Sequence, residues 1–281
     1  MSQLTVRTLL QTETVTIRDV ICRGECRHKS EEERSELTHL VFPYRGVFVR
    51  HVGSNDAVAE ANQVLFFNQD ETYSVSHPVQ GGDACISLTI DPKLLRELAP
   101  AKLLHEGEAV IFRDKHRRID PRAQALVALL RHSLNSKIIE PLEAETLALT
   151  LVRRSLGERT SHSKAASYGR QKLVDRAKLV LSSDLARRWT LAEIASETGV
   201  SPVYLTQVFQ QVEAVPLYRY QLRLRLARAL DQLAHYDDLT MLSLDLGFSS
   251  HSHFSAAFKQ SFGRTPAEFQ RSVQPVIAAE R

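Results

Sequence analysis

Residues 247–266 read GFSSHSHFSAAFKQSFGRTP, and this stretch decides how the C-terminal part of the chain folds. Phe254, Ala257 and Phe258 recur at helical spacing within it, so the pattern predicts a short helix that buries one face. The opposite face is polar and free to contact another molecule, and it consists of His251, Ser252, Ser255 and Lys259.

The residues on both sides of this predicted helix have the chemistry of helix ends. Gly247 can adopt the positive φ that ends a preceding helix, and Ser249 or Ser250 can cap the next one. A helix, a glycine turn and a capped helix together are typical of a helix-turn-helix. After it, Gly263 ends the helix, and Thr265-Pro266 predicts the start of another short helix.

Residues throughout this region match a known signature in a single register. They are Gly247, Phe248, Ser252, Phe254, Phe258, Lys259, Phe262, Gly263, Thr265, Pro266, Phe269 and Arg271. In this pattern the chain resembles the AraC/XylS family of bacterial transcription regulators. The resemblance implies a DNA-binding domain with two helix-turn-helix motifs, and promoter DNA and RNA polymerase as partners. It also implies an N-terminal domain that binds an effector or forms a homodimer.

The size and composition of the chain limit the possible classes of protein. A chain of 281 residues is enough for two domains that each bury a core. It has no apolar run of 18 residues, and its first residues, MSQL, lack the basic and apolar segments of a secretion signal. Three cysteines, an odd number in a long chain, argue against a disulfide framework. We therefore expect a soluble, cytoplasmic protein without a membrane segment.

The formal charge is unevenly divided along the chain. Residues 170–281 carry 14 Lys and Arg against 11 Asp and Glu, a net of +3, whereas residues 1–169 carry 22 of each. An excess this small supports nucleic-acid binding only weakly. The placement of the charge is more informative, because Arg219, Arg223, Arg225 and Arg228 lie close together on one predicted helix. We expect some of them to contact phosphates.

Residues 1–118 are predicted to form a β-barrel or a double-sheet jelly roll. Short β-branched and aromatic runs predict strands at 40–42, 46–52, 64–67 and 84–90, with turns at Pro43, 53–56, 68–71 and 81–83. A fold of this kind can hold a small molecule between its sheets. We expect an effector-binding or oligomerisation domain.

Parts of this region also resemble a known domain. The segment 42–48, the pair His77-Pro78 and residues 81–83 look like a degenerate version of the cupin-like effector domain that several AraC-type regulators carry. Metal-binding cupins have a His-x-His pair followed by a carboxylate and a further histidine. Here His39, His51 and His77 stand alone in the sequence, so we predict no metal and no other cofactor.

A metal alternative rests on a different set of side chains. Cys22, Cys26, His28 and His39 offer thiolate and imidazole ligands within one stretch. Their spacing fits no common structural zinc pattern. We interpret them as buried thiols and surface histidines.

Four side chains are candidates for an effector pocket: Tyr44, Arg45, Tyr73 and His77. Tyr73, Val75 and His77 alternate on one face of a predicted strand that Pro78 ends. Arg45 lies beside an apolar strand and can receive an acidic effector. His77 also fits the ordinary role of a histidine in the core or at its rim. Arg45 also fits that of a solvated arginine at a strand end.

From Asp120 the hydrophobic period changes from that of strands to that of helices. Leu126, Leu129, Leu130 and Leu134 predict one helix, capped by Asp120, and leucines between 142 and 156 predict a second. We assign 119–156 to this helical pair, which can pack on the barrel, on a partner chain or on both. The resemblance favours dimerisation. Residues 157–169 are rich in Ser and Gly, and they are predicted to be a linker.

Residues 170–281 are predicted to be the DNA-binding domain, with two helix-turn-helix motifs. Thr190 and Glu193 form a predicted capping box, and Ser201-Pro202 starts the next helix after a turn at Gly199. This first motif precedes the one described above. A long helix from Pro216 to about His235 joins the two and fixes their relative position.

The predicted DNA contacts lie on the free faces and at the N-terminal ends of the recognition helices. They are Ser201, Val203, Tyr204, Thr206, Gln207 and Gln210 in the first motif, and Ser250, His251, Ser252, Ser255, Ala256, Lys259 and Thr265 in the second. Glutamine can pair with adenine, and Val203 or Ala256 can pack on a thymine methyl group.

No enzyme signature is found: the chain has no Gly-x-Ser-x-Gly, no Walker loop and no dinucleotide glycine triplet. We predict a sequence-specific transcription regulator that responds to an effector and is not an enzyme. Two alternatives stay open. One is a metal-dependent cupin enzyme fused to a DNA-binding tail, and the other is an architectural DNA-binding protein without an effector.

Overall fold

The computed structural model describes residues 4–23, 28–157 and 167–274. Strands form the N-terminal part, helices form the C-terminal part, and two long helices lie between them in the sequence. The predicted α+β class, a double-sheet barrel followed by a helical pair and an all-helical region, is confirmed. No helix in the described ranges combines the length and apolar character that crossing a membrane requires.

The strands of the described residues form two antiparallel sheets. They are β1 (Leu4–Gln11), β2 (Val15–Cys22), β3 (Glu33–Arg34), β4 (His39–Arg45), β5 (Phe48–Val52), β6 (Asn55–Ala59), β7 (Gln63–Phe67), β8 (Thr72–Ser76), β9 (Asp83–Ile90) and β10 (His116–Arg118). The larger sheet has the order β1-β2-β9-β4-β7-β10, and the smaller one has the order β3-β8-β5-β6. One face of the larger sheet packs on helices and the other on the smaller sheet. Burial on both faces explains why β4 and β7 are continuous apolar runs in the sequence.

Two of the predicted turns are wrong in detail. Pro43 lies inside β4, because β7 pairs with β4 only as far as Val41 and leaves an open edge beyond it. A residue without an N–H is tolerated at such an edge. The predicted turn at 53–56 is limited to Gly53 and Ser54, since β6 starts at Asn55.

The first two strands were not predicted at all. β1 is exposed over most of its length, and in β2 Arg18 and Asp19 interrupt the apolar pattern. The pairing of β2 with β9 along its whole length gives these residues a place in the sheet.

Three α-helices precede the C-terminal region: α1 (Pro92–Leu98) lies between β9 and β10, and α2 (Pro121–Asn135) and α3 (Pro141–Leu156) follow β10. The Asp120 carboxylate accepts a hydrogen bond from the Ala123 N–H, as predicted for a cap. The buried face of α2 differs from the predicted leucine stripe. Leu126 and Leu129 are only half-buried, whereas Arg131 and His132 are buried. These polar residues face the C-terminal helices.

The C-terminal helices are α4 (Tyr168–Ser183), α5 (Leu191–Thr198), α6 (Pro202–Glu213), α7 (Leu217–Gln232), α8 (Leu239–Asp245), α9 (His251–Phe262) and α10 (Pro266–Val273). The predicted linker at 157–169 falls largely outside the described residues, and its last two residues belong to α4. The predicted caps at Thr190, Ser201, Ser250 and Thr265 each accept a backbone N–H from the first turn of their helix.

The C-terminal helices bury two separate cores. The first packs α4, α5, α6 and the start of α7 around Ile194 and Phe209. The second packs α8, α9, α10 and the end of α7 around Phe254 and Phe258. Ala128 of α2 belongs to this second core. The helical pair therefore contributes to the packing of the second helix-turn-helix as well as to that of the barrel.

A buried aspartate joins the N-terminal and C-terminal parts. The Asp231 carboxylate, with 0% of its side chain exposed, accepts from Arg45 Nε at 2.9 Å and from Arg131 Nη2 at 2.7 Å. Arg228 contacts it as well. Burial opposes the charge of Asp231, but the arginines outweigh burial, and the pKa of its carboxyl lies below the usual value.

A second set of buried polar contacts includes one that joins the two parts. The Lys178 ammonium, on α4, is 2.7 Å from Glu213 and fully buried. The Tyr220 hydroxyl of α7 donates to the buried Glu60 carboxyl. Because Glu60 belongs to the barrel and Tyr220 to the C-terminal helices, this bond crosses between the two parts.

Candidate nucleic-acid interface

The free face of α6 is open to solvent. Leu205, Val208 and Phe209 are buried, and the predicted contacts Val203, Tyr204, Thr206, Gln207 and Gln210 are all exposed. Val203 is 68% exposed, although it is apolar. An apolar side chain presented in this way beside two glutamines suits a surface that packs on base edges.

The free face of α9 has the same organisation. Ser252, Ala256 and Lys259 are exposed, whereas His251 and Ser255 are half-buried. The Ser255 hydroxyl lies 3.3 Å from His251 Nε2, so these two side chains are paired with each other. The docked N-terminal part covers neither this face nor the face of α6.

The capping residues use their side chains within the protein. Ser201 Oγ accepts from the Tyr204 N–H and Ser250 Oγ from the His253 N–H. The Thr265 hydroxyl donates to the Glu268 carboxylate at 2.9 Å. Contact with a phosphate at these helix starts would therefore use backbone N–H groups.

The expectation for the arginines of α7 needs a correction. Arg225 donates to the carbonyls of Leu185, Ala186, Arg187 and Gly247, and Arg228 pairs with Asp231. Both are used inside the protein rather than presented to phosphates. Arg219 is exposed, and Arg223 is half-buried.

Arg225 and Gly247 together connect the two helix-turn-helix motifs. Leu185, Ala186 and Arg187 precede α5 of the first motif, whereas Gly247 is the turn of the second. Gly247 has φ 76°, and a Cβ there would lie 2.0 Å from the Ala186 carbonyl oxygen. Only glycine permits this approach. The contact fixes the position of one motif relative to the other.

A cavity of about 160 Å³ lies between the two sheets of the barrel. Tyr73 and His77, two of the predicted effector contacts, line it together with apolar side chains such as Val41, Phe48 and Phe67. Tyr44 and Arg45 do not line it. The Tyr44 hydroxyl donates to Asp19 at 2.7 Å, and Arg45 pairs with Asp231 at the domain interface. Their prediction as effector contacts is corrected accordingly.

The histidines of the barrel are not all alone in space. His77 Nδ1 is 2.5 Å from an Asp83 carboxylate oxygen, and His77 Nε2 is 3.5 Å from the sulfur of Cys22. Among the described residues, Cys22, His77 and Asp83 form the group of possible metal ligands, with the three ligand atoms within 4.8 Å of one another. The sequence prediction had combined Cys22 with Cys26, His28 and His39 instead.

The other members of that predicted set have different surroundings. His39 stacks on Phe67 and its Nδ1 lies 2.9 Å from the Leu37 carbonyl oxygen. His28 is exposed, and Cys26 lies outside the described residues. His51 bonds with Asp56 and Ser76.

Several residues at the contact between the N-terminal and C-terminal parts are not predicted from the sequence. Asp231, Arg131 and His132 looked like ordinary charges on helices, although they join α2 to α7. An available signal was that Asp231 lies among alanines and leucines, at a position where helical periodicity predicts burial. The sequence pattern places Asp83 in a predicted turn and does not indicate its contact with His77.

Comparison with known proteins places the C-terminal part in context. A family model described as "Helix-turn-helix domain" matches residues 194–272. The regulator GadX of Escherichia coli K12 is 28% identical over 150 residues, which are 53% of this chain and 54% of GadX. The activator RhaR of Klebsiella pneumoniae is 28% identical over 126 residues, 44% of this chain and 43% of RhaR. These matches show similarity to transcription regulators, and the family model places a helix-turn-helix domain in the C-terminal part of the chain.

A solved structure is similar to part of the chain. It is a transcriptional regulator from Chromobacterium violaceum described as having an AraC-type DNA-binding domain, with 28% identity, 38% of this chain and 97% of that chain covered, and a TM-score of 0.36. The matches to the curated relatives above span about half of each relative's length. The family model locates its part of the similarity in residues 194–272.

Proposed function

We propose that this protein binds promoter DNA through both helix-turn-helix motifs and regulates transcription. The observation that carries the proposal is the pair of exposed recognition helices, α6 and α9, held together by α7 and by the Arg225 contacts. Two reading helices at a fixed separation can enter successive major-groove segments on one face of the duplex, about 34 Å apart. The regulators GadX and RhaR support the same function for this chain.

The proposed contacts divide by chemistry. Gln207 and Gln210 can donate to and accept from adenine, and Val203 and Ala256 can pack on thymine methyl groups. Lys259 and the N–H groups at the starts of α6, α9 and α10 would contact phosphates. Because the reading faces contain few charged residues, the preferred sequence depends on amide and apolar contacts and on DNA shape.

The proposal extends to partners. Homodimerisation would use the helical pair, where Leu142, at the start of α3, is 75% exposed and Ile138 is 40% exposed. RNA polymerase is the proposed second partner, as for other regulators that act at promoters. A promoter-binding protein acts where the chromosome is, and we therefore propose the cytoplasm as its location.

The cavity between the sheets supports a second function, the binding of a small effector. A cavity of about 150 Å³ in another protein binds benzene, so the 160 Å³ cavity of this barrel suits a molecule of about one ring with a short chain. Tyr73 and His77 supply polar groups in an otherwise largely apolar wall. An effector that fills the cavity would change the spacing of the two sheets and thereby the docking of the C-terminal helices.

Fluorescence anisotropy with random-sequence and selected duplexes, across a salt series, tests the proposal. We expect affinity to fall as salt rises and one sequence to bind far more tightly than random DNA. The variant Gln207→Ala should lose about 1–3 kcal/mol of preference for the selected sequence if Gln207 makes a bidentate base contact.

The matched control for this variant is Gln211→Ala. Gln211 is another exposed glutamine of α6, and its amide oxygen accepts from Arg170 of α4. Its loss should leave the preference unchanged. Equal effects of the two substitutions would contradict the assigned reading face. Binding without any sequence preference would favour the architectural function, and turnover that depends on added metal would favour the enzyme.

A further inference from the structure

The cavity of the barrel contains an ordered group of three side chains at one end. Cys22 is the last residue of β2 and Asp83 the first of β9, and the two are paired across these neighbouring strands. Their side chains therefore lie on the same face of the larger sheet. His77 follows β8 of the opposite sheet and bridges them, with Nδ1 at 2.5 Å from Asp83 and Nε2 at 3.5 Å from Cys22 Sγ.

The order carboxylate, imidazole, thiol is that of an activated nucleophile. In the tautomer with a proton on Nδ1, His77 donates to Asp83 and its other nitrogen faces the Cys22 thiol as an acceptor. Nε2 can then take the proton of Cys22 and form a thiolate beside an imidazolium. His77 is 8% exposed and Asp83 is 6% exposed, so solvent screens this arrangement little. Cys22 is half-buried and lines the cavity, where a bound molecule can reach its sulfur.

A second cysteine in the same cavity provides a built-in comparison. Cys85 lines the same space and is buried. Burial raises the pKa of its thiol well above the usual value, and the nearby Asp83 and Asp19 carboxylates raise it further. Cys85 is therefore expected to stay protonated, although it faces the same ligand as Cys22.

A metal ion is a weaker explanation of the same group. Zinc sites use three or four protein ligands. Nδ1 of His77 and the Asp83 carboxylate are already paired with each other, which leaves Nε2 and the Cys22 sulfur, 3.5 Å apart, for another role. The geometry fits proton transfer between imidazole and thiol better than a complete coordination shell.

We propose that Cys22 is a reactive thiol that captures small apolar electrophiles, specifically α,β-unsaturated aldehydes or ketones, within the barrel cavity. Val20, Val41, Phe48, Phe67 and Val75 provide an apolar wall for the hydrocarbon part of such a molecule. The cavity volume of about 160 Å³ limits the ligand to about the size of a substituted ring.

The addition needs no oxidant, reductant or leaving group. The Cys22 thiolate forms a C–S bond to the β-carbon, and the π electrons of the C=C bond move to give an enolate. The imidazolium of His77 then returns its proton to the α-carbon. The net reaction adds S–H across the double bond, so the protein gains the whole mass of the ligand.

This inference deepens the proposal that the cavity binds an effector. It rests on that proposal only for the expected change in DNA affinity when Cys22 is modified. The chemical step itself is independent of it. An adduct would occupy the space between β2, β8 and β9. Gly82 lies directly beside these groups, where an added Cβ would be 2.2 Å from the Cys22 carbonyl oxygen. The backbone around Cys22 is therefore closely packed and would transmit the volume of an adduct.

The test uses the full-length protein, cinnamaldehyde as the probe and 3-phenylpropanal, its saturated analogue, as the control. After reaction at pH 7, borohydride reduction and tryptic digestion, Cys22 lies in the peptide 19–23, separate from Cys26 and Cys85. We expect this peptide alone to gain the mass of the reduced aldehyde, with no gain from the saturated analogue. An ordinary thiol is about 3% ionised at pH 7, so His77→Gln should slow the addition by up to about thirtyfold.

Asp83 acts through His77 as a positioning residue, and Asp83→Asn separates that role from a structural one. We expect slower addition with its half-maximal pH shifted toward the value of an ordinary thiol, about 8.5. The other titratable groups that line the cavity are Glu33, His39, Tyr73 and Cys85, and they are unchanged in this variant. Circular dichroism and unfolding curves check that each variant is folded.

Four results would overturn the inference. They are modification of Cys85 as fast as that of Cys22, an unchanged rate in His77→Gln, modification by peroxide but not by the enal, and one equivalent of Zn²⁺ that binds and blocks the addition. The comparison of Cys22 with Cys85 needs only the natural protein. DNA anisotropy then separates the two proposals: an adduct without effect on DNA affinity contradicts the effector role alone, whereas DNA binding without an adduct contradicts only the thiol chemistry.

Discussion

The Arg225 side chain connects the two helix-turn-helix motifs by hydrogen bonds rather than by apolar packing. Its guanidinium donates to Leu185 at 2.6 Å, Arg187 at 2.9 Å, Gly247 at 3.0 Å and Ala186 at 3.2 Å, all of them backbone carbonyls. The planar group with five N–H donors suits such a convergent set, whereas an ammonium is a compact charge with three donors. The two helix-turn-helix motifs, which have separate apolar cores, are joined here by polar contacts.

We expect Arg225→Lys to lower the free energy of unfolding by about 2 kcal/mol, because carbonyls that lose a charged donor are left unsatisfied. Urea denaturation measures this change. The matched control is Arg219→Lys, the same substitution at an exposed position of α7. The charge is kept in both variants, so attraction to phosphates is the same. Equal stability of the two would show that Arg225 does not hold the motifs together.

At the scale of single elements, α9 depends on its aromatic face. Phe258 is 0% exposed, and its ring centroid lies 4.6 Å from that of Phe262 and 5.7 Å from that of Phe254. It also contacts Phe269 of α10. The recognition helix is therefore oriented by one side chain that packs against its own helix and the next.

Phe258→Ala should destabilise the second helix-turn-helix by roughly 3–5 kcal/mol, since it removes a large buried ring and leaves a cavity. Chemical denaturation followed by circular dichroism checks the size of the loss. Gln260→Ala, at an exposed position of the same helix, serves as the control and should change stability by a few tenths of a kcal/mol. A melting curve for Phe258→Ala that matches the control would contradict this packing.

The helix ends of the C-terminal region could be predicted from the sequence because capping is local chemistry. Thr190 with Glu193, and Thr265 with Pro266, specify their helix starts within four residues. The strands were harder to predict, since burial of β2 depends on its pairing with β9, more than 60 residues away in sequence. Asn55 looked like a turn residue, yet the pairing of β6 with β5 includes it.

The candidate sites also differ in whether local sequence is enough to predict them. The exposed faces of α6 and α9 follow from helical periodicity, which sequence reasoning can use. The association of Cys22 with His77 and Asp83 depends on which strands pair and on the meeting of two sheets, and nothing in the spacing of these residues indicates it. The groups that Arg225 and Arg45 contact likewise lie far from them in sequence, so the sequence alone does not indicate these contacts.

For the whole molecule, the main feature is the polar interface around Asp231. One buried carboxylate contacts Arg45 of the barrel, Arg131 of α2 and Arg228 of α7. Arg131 also lies over the Tyr44 ring, 4.2 Å from its centroid. Next to this group, His132 Nε2 is 2.9 Å from the Leu230 carbonyl oxygen. The contact between the N-terminal and C-terminal parts therefore includes groups whose protonation depends on pH.

His132 makes this interface sensitive to pH. Burial and the neighbouring Arg131 lower its pKa from 6.5 to about 4, with Asp231 and the Leu230 carbonyl acting in the opposite direction. The unfolded chain thus binds the proton first, and stability falls as pH drops from 6.5 toward 4. The loss at pH 5.5 should be on the order of 1 kcal/mol from the pKa values 6.5 and about 4. The arginines hold the pKa of the Asp231 carboxyl below its ordinary value, so this group stays charged across this range.

Unfolding free energies between pH 7.5 and 5.5 check this prediction by comparison with His132→Gln. Glutamine keeps an N–H donor for Leu230 but does not titrate, so the difference between the two proteins isolates His132 from other histidines. We expect the natural protein to lose the additional stability and the variant to lose less. Parallel pH curves would show that His132 does not contribute.

The position of Ala128 of α2 in the core of the second helix-turn-helix has a consequence for modularity. In sequence α2 lies before the C-terminal helices, but its packing completes a core that those helices form. A fragment that begins at Tyr168 would lack Arg45 and Arg131, the partners of Asp231, and would leave the apolar surface around Leu226 and Leu230 uncovered. Exchange of N-terminal domains between relatives would therefore succeed only when the donor domain brings a matching helix with it.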